Sequence, residues 1–391
     1  MNNFVYDIPT KVFFGEGQIK HLPKLVDQLG KKVLLVYGGG SVKANGLYDA
    51  IIKLLPHCEI FELSGIEPNP RIESIRKGGE MCKDHGIDLI LAIGGGSVIA
   101  ASKAIAAAAK YEGDPWEFVL DRKLITEALP LISVLTLSAT GSEMNFHTVI
   151  TNFETKEKIG TGNYHTYPYA SILDPTYTYS VPKSQTAAGT ADIMSHTFEN
   201  YFSSTETAYL QDRLAEDILK LCIHYLPIAL EDGENYEARA NLMWAATTAL
   251  NGTISLGKGG AWSCHPMEHI LSAYYDITHA VGLAILTPRW MAHILNDETV
   301  GRFATYAHNV WQIPYHTDEF SMARAAIEKT YQFFLDSGLP MTLPEVGIDE
   351  TYLEEMAEKV APLVTHSYVP LKAEDILSIY QACLTPGFTQ S

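Results

Sequence analysis

Short apolar runs alternate with helical stretches through the first half of the chain, and this alternation limits the fold more than any other feature. The runs cover residues 32–38, 59–63, 88–93 and 131–137, and glycine or proline turns separate each from the helical pattern that follows. Strands that alternate with helices form a parallel sheet wrapped by helices, with ligands at the carboxyl ends of the strands. The sequence therefore predicts an α/β N-terminal domain. Residues 4–14 are predicted to add two further strands.

Strand patterns fade after Pro182, and helical patterns take over at residues 187–202, 208–226 and 236–250. With 391 residues, two domains are expected. The predicted division gives an α/β domain at 1–182 and an all-α domain at 183–391.

Charge and composition exclude several classes of function. The formal net charge of −18 disfavours nucleic acid and anionic membrane surfaces as partners. No run of 18 apolar residues is present, and the first residues lack the basic start and apolar stretch of a secretory signal. Five scattered cysteines without a Cys-x-x-Cys motif suit a reducing, cytoplasmic location.

Four residues of the second half form a candidate metal site. Asp192 and His196 are spaced i, i+4, which places them on one face of a helix, and His265 and His279 bracket a later segment. The chain has 14 histidines, so each pair alone is weak evidence. Both segments are apolar and rich in small residues, and a buried carboxylate or imidazole needs a partner. A shared divalent cation would supply that partner.

The sequence Gly94-Gly95-Gly96-Ser97 follows a predicted strand and opens a helix. Glycines let backbone N–H groups approach phosphate oxygens, and the helix N-terminus favours an anion. The motif matches neither Gly-x-Gly-x-x-Gly nor a Walker loop, and a simple tight turn is the alternative. A second polar turn, Thr140-Gly-Ser142, follows another strand and strengthens the prediction of a diphosphate site.

An earlier turn, Gly38-Gly39-Gly40-Ser41, bears on the choice of cofactor. Dinucleotide folds that bind NAD carry an acidic residue after such a strand, to bond the ribose 2′-hydroxyl. Here the turn holds a hydroxyl and is followed by Lys43, which suits a 2′-phosphate. The turn therefore favours NADP(H), and the alternative is that Lys43 is only a solvated lysine at a helix start.

These motifs resemble the iron-containing (group III) alcohol dehydrogenase family, especially its NADPH-dependent butanol dehydrogenase and aldehyde reductase branch, over nearly the whole chain. The resemblance implies an N-terminal dinucleotide-binding domain, a helical metal-binding domain, a ferrous or zinc ion and a homodimer. It implies metal ligands at Asp192, His196, His265 and His279, and a substrate-side histidine at His269. The implied NADP(H)-binding residues are Gly38, Gly39, Ser41, Asn69, Gly95, Gly96, Ser97, Thr136, Thr140, Ser142, Lys158, Tyr177 and Thr178.

The expected reaction is the interconversion of short- to medium-chain aldehydes and primary alcohols by hydride transfer. The ion would polarise the carbonyl oxygen, the cofactor would give hydride in the cleft between the domains, and His269 would relay a proton or only bind substrate. An NAD-dependent glycerol or diol dehydrogenase, a lyase of the dehydroquinate synthase type and a non-catalytic sensor are the alternatives. The lyase would need several cations near the metal, and the segment 257–262 offers only Lys258.

Overall fold

A computed structural model describes residues 1–205, 207–315 and 318–387. Within them, six parallel strands form one sheet, and two further strands form an antiparallel hairpin. The strands are β1 Lys11–Phe14, β2 Lys32–Tyr37, β3 Glu59–Leu63, β4 Leu89–Gly94, β5 Leu131–Leu135, β6 Thr148–Asn152, β7 Glu157–Thr161 and β8 Ala170–Leu173. The order in the sheet is β1-β8-β5-β4-β2-β3, and β6 pairs with β7.

The central strands are apolar on both faces because a hydrophobic cluster lies on each side of the sheet. Along β2, Leu34 and Val36 belong to one cluster, whereas Val33 and Leu35 belong to the other. Successive side chains of a strand point to opposite faces, so burial of both faces requires a continuous apolar run. This requirement explains the uninterrupted runs in the sequence.

Six helices accompany the strands up to residue 182: α1 Leu22–Asp27, α2 Ser41–Ala44, α3 Leu47–Leu54, α4 Ile72–His85, α5 Gly96–Ala108 and α6 Pro115–Leu120. The later helices are α7 Lys183–Tyr201, α8 Tyr209–Glu231, α9 Tyr236–Leu250, α10 Cys264–Tyr275, α11 His279–Ile294, α12 Val300–Asn309, α13 Glu319–Asp336, α14 Leu353–Val360 and α15 Ala373–Ala382. Short 3-10 helices complete the regular structure, among them Ser142–Met144 and Pro175–Thr178.

The chain divides into two compact units. The sheet unit contains Asp7–Pro182 and Asp232–Asn251, and the helical unit contains Met1–Tyr6, Lys183–Glu231 and the chain from Gly252 onward. Helix α9, which the sequence counts with the second domain, therefore packs in the sheet unit. There the buried Thr247 hydroxyl of α9 donates a hydrogen bond to the carboxylate of Glu143.

The predicted fold class, a parallel sheet with flanking helices followed by a mostly helical part, is confirmed. The prediction of two strands at residues 4–14 is wrong in its first half, because regular structure begins only at Lys11. Residues 1–6 belong to the helical unit, where the N–H of Asn2 donates to the carbonyl of Gly257. Among the described residues, no helix combines the length and apolarity needed to cross a membrane.

Candidate metal centre and cofactor-binding residues

The four predicted metal ligands surround one carboxylate oxygen. Asp192 and His196 lie one turn apart on α7, His265 is the second residue of α10, and His279 is the first residue of α11. Oδ1 of Asp192 is 3.5 Å from Nδ1 of His196, 4.0 Å from Nε2 of His265 and 3.9 Å from Nε2 of His279. Ligand atoms of Asp192, His265 and His279 all lie within 4.8 Å of one another.

This spacing suits a divalent ion. Two atoms that ligate one ion at about 2.1 Å and a tetrahedral angle lie about 3.4 Å apart, close to the separations seen here. Nε2 of His265 is buried and has no hydrogen-bond partner in the described part of the chain. An inward-facing acceptor of that kind is costly unless a cation meets it. One carboxylate and three imidazoles form a donor set that ferrous iron and zinc both accept.

Two buried carboxylates stand behind the imidazoles. Glu199 accepts the backbone N–H of His265 at 2.9 Å, and its Oε1 lies 3.3 Å from Nδ1 of the same residue. Glu268 contacts Nδ1 of His279. Glu199 and Glu268 are buried. A carboxylate in this position holds the proton on Nδ1, which leaves Nε2 as the metal-binding atom and makes the imidazole a stronger ligand.

Further rings lie against the ligand cluster. The ring of His269 is 5.4 Å from that of His279 and 6.2 Å from that of His265. His269 also forms a second group of potential ligand atoms with Glu268 and His279. The ring centroid of Trp262 lies 4.6 Å from that of His265. Trp262 precedes His265 in the sequence, whereas His269 follows it. Trp262 and His269 are only partly buried, so their side chains keep contact with solvent.

The predicted diphosphate residues lie at the adjoining ends of β4 and β5. A Cβ on Gly96 would lie 2.2 Å from Oγ1 of Thr140, so only glycine allows this approach. The N–H of Thr136 donates to the carbonyl of Gly94 at 3.1 Å, which joins the two strand ends. The first N–H groups of α5 have no acceptor within the helix, and they lie at this junction. The structure thus gathers Gly95, Gly96, Ser97, Thr136, Thr140 and Ser142 at one edge of the sheet.

A buried lysine fixes the loop that contains Ser142. Nζ of Lys103, on α5, donates to Oγ of Ser142 at 2.9 Å, Oδ1 of Asn145 at 3.1 Å and the carbonyl of His147 at 2.9 Å. Burial holds the pKa of Lys103 well below its usual range, and burial also raises the pKa of the neighbouring Glu143 carboxyl. The three acceptors position Lys103 as the anchor of this loop.

The turn after β2 is open to solvent. A Cβ built on Gly38 would lie 3.4 Å from the carbonyl oxygen of Ile66. A Cβ built on Gly39 would have no atom within 4 Å. Ser41 is exposed and begins α2. The following Lys43 is paired with Glu62, whose Oε2 lies 3.1 Å from Nζ.

The remaining predicted residues occupy two places. Asn69 is buried in the loop before Arg71, which bridges to Thr151 of β6, and Thr151 is in turn paired with Lys158 of β7. The segment that follows Asn69 and the strand residue Lys158 therefore both adjoin Thr151. Tyr177 and Thr178 lie in the short helix Pro175–Thr178 that follows β8. The hydroxyl of Thr178 donates to the carbonyl of Pro175 at 2.7 Å, and burial raises the pKa of Tyr177 to about 12.

Two family models cover most of the chain. The model "Iron-containing alcohol dehydrogenase" matches residues 9–175, and "Fe-containing alcohol dehydrogenase family, C-terminal" matches residues 186–384. The chain belongs to the iron-containing alcohol dehydrogenase family. The family resemblance expected from the sequence is thereby confirmed.

This iron-containing alcohol dehydrogenase has relatives of several names. It is 55% identical over 386 residues to NADH-dependent butanol dehydrogenase A of Clostridium acetobutylicum, covering 97% of this chain and 99% of that one. It is 39% identical to the NADPH-dependent aldehyde reductase YqhD of Escherichia coli, covering 92% and 93% of the two chains. The crystal structure of NADH-dependent butanol dehydrogenase A from Thermotoga maritima matches with a TM-score of 0.94 at 37% identity, over 98% and 99% of the chains.

Membership in the iron-containing alcohol dehydrogenase family makes this chain an alcohol dehydrogenase that interconverts alcohols and aldehydes with a nicotinamide cofactor. Three residues of its site were not predicted from the sequence: Lys103, Glu199 and Glu268. Glu199 lies seven residues after Asp192, two turns along the same helix face. That spacing was a usable signal. The sequence carries no such signal for Glu268 or Lys103, because only the folded chain brings them to their partners.

Proposed function

We propose that this enzyme is a metal-dependent, NADP(H)-dependent reductase of short- to medium-chain aldehydes, similar to the butanol dehydrogenases. The observation that carries the proposal is the clustering of Asp192, His265 and His279 ligand atoms within 4.8 Å. Asp192, His196, His265 and His279 would hold the ion. When bound, the ion supplies Lewis acidity towards a carbonyl oxygen, and the reduced nicotinamide supplies the hydride.

The protein's own groups orient the ligands and manage a proton. Glu199 and Glu268 keep the imidazoles of His265 and His279 in one tautomer, so that no ring has to rotate before the ion binds. His269 is the proposed proton carrier for the product oxygen. Its ring lies beside that of His279, and it is partly exposed, so it can exchange the proton with water.

The proposed cofactor-binding residues form three groups. Gly95, Gly96 and Ser97 would offer the backbone of the α5 N-terminus to the diphosphate, while Thr136, Thr140, Ser142, Lys158, Asn69, Tyr177 and Thr178 would surround the rest of the dinucleotide. Gly38, Gly39 and Ser41 would bind the 2′-phosphate. The open space at Gly39 and the absence of an acidic residue within the turn itself support NADP(H). Relatives named NADH-dependent make NAD(H) the rival, and the ratio of kcat/KM for the two cofactors decides between them.

A diol dehydrogenase preferring NAD(H) and a lyase of the dehydroquinate synthase type have less support. The lyase needs free cations for phosphate and carboxylate groups. Lys258, the candidate for that role, is buried, and its Nζ lies 2.5 Å from Oδ1 of Asp212 and 2.8 Å from the carbonyl of Asn200. It is therefore committed to the helical unit itself. A 1,3-propanediol dehydrogenase is also among the relatives, at 31% identity, so diols belong in the substrate panel.

The test is purification without oxygen, elemental analysis for iron and zinc, and turnover of an aldehyde panel with each cofactor. We expect about one divalent ion per chain and turnover that fails in chelator-treated protein and returns with ferrous iron or zinc. Zinc binds such donors more tightly, so supply decides the native occupant. No turnover with any aldehyde, alcohol or diol by metal-loaded protein would overturn the proposal.

We also propose a homodimer, a cytoplasmic location, and domains at 1–182 and 183–391 that exchange residues 1–6 and 232–251. Strand β1 lies at the edge of the sheet, and Phe4, Val5 and Tyr6 expose apolar side chains. An edge strand and exposed apolar groups are features that a second chain can cover. All five cysteines are free, which suits a reducing compartment. Light scattering gives the mass in solution, and a monomer would contradict the first of these.

A further inference from the structure

A carboxylate is fixed beside the proposed 2′-phosphate turn. Oε2 of Glu62 accepts hydrogen bonds from the hydroxyl of Tyr37 at 2.6 Å and from Nζ of Lys43 at 3.1 Å. Oε1 accepts one from the hydroxyl of Tyr48. Three donors thus hold one carboxylate on the surface of the sheet unit. None of the three sequence motifs that pointed to a cofactor includes Glu62.

This group is tied to both sides of the turn. Tyr37 ends β2 and immediately precedes Gly38. Lys43 lies on α2, and its N–H donates to the carbonyl of Gly40 at 3.0 Å. Gly38 in turn accepts the N–H of Gly65, just after the end of β3, at 3.1 Å. The turn and the carboxylate therefore belong to one rigid local arrangement rather than to two independent loops.

The charges of the pair cancel. Hydrogen bonds from Tyr37 and Tyr48 hold the pKa of the Glu62 carboxyl below its usual range, so the group is ionised at neutral pH. The ammonium of Lys43 also lies 4.3 Å from the ring centre of Tyr48, which further confines it. An isolated lysine would attract a phosphate, but a lysine paired with a carboxylate presents little net charge to one. A ribose 2′-hydroxyl is neutral and is indifferent to this cancellation.

We propose that Glu62 is a specificity-determining residue, whose charge offsets that of Lys43 and so narrows the preference for NADP(H) over NAD(H). The inference rests on the proposed cofactor role of Gly38, Gly39 and Ser41. Glu62 acts through Lys43 and does not need to touch the cofactor.

The experiment measures binding of two small probes, adenosine 2′,5′-bisphosphate and 5′-AMP, which differ by the 2′-phosphate alone. Glu62→Gln keeps the size of the side chain and removes its charge. We expect the variant to bind the bisphosphate about 3- to 10-fold more tightly at low salt and 5′-AMP within about twofold of the native protein. The gain should shrink at high salt, because both charges are exposed. Titration calorimetry at two salt concentrations provides the data.

Two further variants serve as controls. Glu59→Gln removes a charge from an exposed position on the same strand and should change neither affinity. Lys43→Met combined with Glu62→Gln should abolish the gain, since no ammonium remains to be freed. Circular dichroism of each variant confirms folding.

Two results would overturn the inference: an unchanged ratio of the two affinities in Glu62→Gln, or a selective loss of 5′-AMP binding, which would make Glu62 a direct ribose acceptor. Either result leaves the aldehyde reductase proposal intact as long as native protein binds the probes. Failure of native protein to bind any nucleotide would instead refute the proposed function, and the role of Glu62 with it.

Discussion

The candidate metal centre and the turn after β2 differ in how the fold specifies them. At the metal centre, Asp192, His196 and His265 are buried, and carboxylates fix the ligand rings from behind. At the turn, Ser41 and Lys43 are exposed, and the backbone at Gly39 faces open space. Buried polar groups that lack partners are costly, so the first site is specified by many mutual contacts. The second site is specified by few.

The difference predicts where the enzyme is robust and where it can vary. A change at the metal centre leaves a buried charge or acceptor without compensation, which costs metal, activity or stability. A change at the turn alters exposed charges, whose interactions are weak and screened by salt. Substitutions at the turn should therefore change the cofactor preference while leaving the catalysed reaction intact.

The largest effect is expected for His265→Ala. The variant removes a proposed ligand and leaves Glu199 without its imidazole partner. Elemental analysis should show loss of the ion, and kcat should fall about 10³-fold or more, as expected when several kcal/mol of charge stabilisation are lost. His293→Ala, an exposed histidine on α11, is the matched control and should retain both metal and activity. Full activity of metal-free His265→Ala would refute the role assigned to the ion.

Glu268→Gln and Glu199→Gln test the carboxylates behind the ligands. Each change keeps the shape of the side chain but weakens its hold on an imidazole Nδ1–H. We expect metal affinity to fall about 10- to 100-fold, read from competition with a chromogenic chelator. Glu298→Gln, exposed in the same unit, should leave it unchanged. Unaltered affinity in both buried variants would mean that the carboxylates serve packing alone.

Lys103→Met tests a buried group in the sheet unit. Its effect should be intermediate between those of changes at the metal centre and at the exposed turn. Removal of Lys103 leaves Oγ of Ser142, Oδ1 of Asn145 and the carbonyl of His147 without the Nζ donor that they share. We expect a loss of about 2 kcal/mol in the free energy of unfolding, measured with urea, together with a raised KM for the cofactor. Lys110→Met, just beyond the same helix, should behave as native protein. A stability loss with an unchanged cofactor KM would limit Lys103 to a structural role.

The smallest effect is expected for Ser41→Ala at the exposed turn. Loss of one hydrogen bond to a phosphate in water should raise the KM for NADPH about 3- to 10-fold. The KM for NADH serves as the internal control and should stay within about twofold. Equal changes for both cofactors would place the 2′-phosphate elsewhere than at this turn.

The fold class followed from the sequence because both its signals are local. Continuous apolar runs such as that of β2 reflect burial on two faces, and glycine turns mark the strand ends. The hairpin β6–β7 was not predicted, since Thr148, Thr151 and Lys158 are polar residues that are buried in the fold. Strand β8 was not predicted either, although its four residues are buried. Placement of α9 in the sheet unit likewise depends on Thr247 meeting Glu143, a contact across 104 positions of sequence.

The metal site could be predicted further than the cofactor site. The i, i+4 spacing of Asp192 and His196 is a local signal, and the structure does bring His265 and His279 to the same carboxylate. The proposed influence of Glu62 on cofactor preference rests instead on its contact with Lys43, 19 positions away, which forms because β3 lies beside β2. Charge pairs formed across neighbouring strands leave no periodic trace in the sequence.

The most direct test of the metal centre is anomalous diffraction from crystals of protein purified without oxygen, recorded on both sides of the iron and zinc absorption edges. The account predicts one strong anomalous peak coordinated by the Asp192 carboxylate and the imidazoles of His196, His265 and His279, at about 2.0–2.3 Å from each ligand atom. Active crystals with no anomalous peak among these residues, or with a peak bound elsewhere, would contradict it.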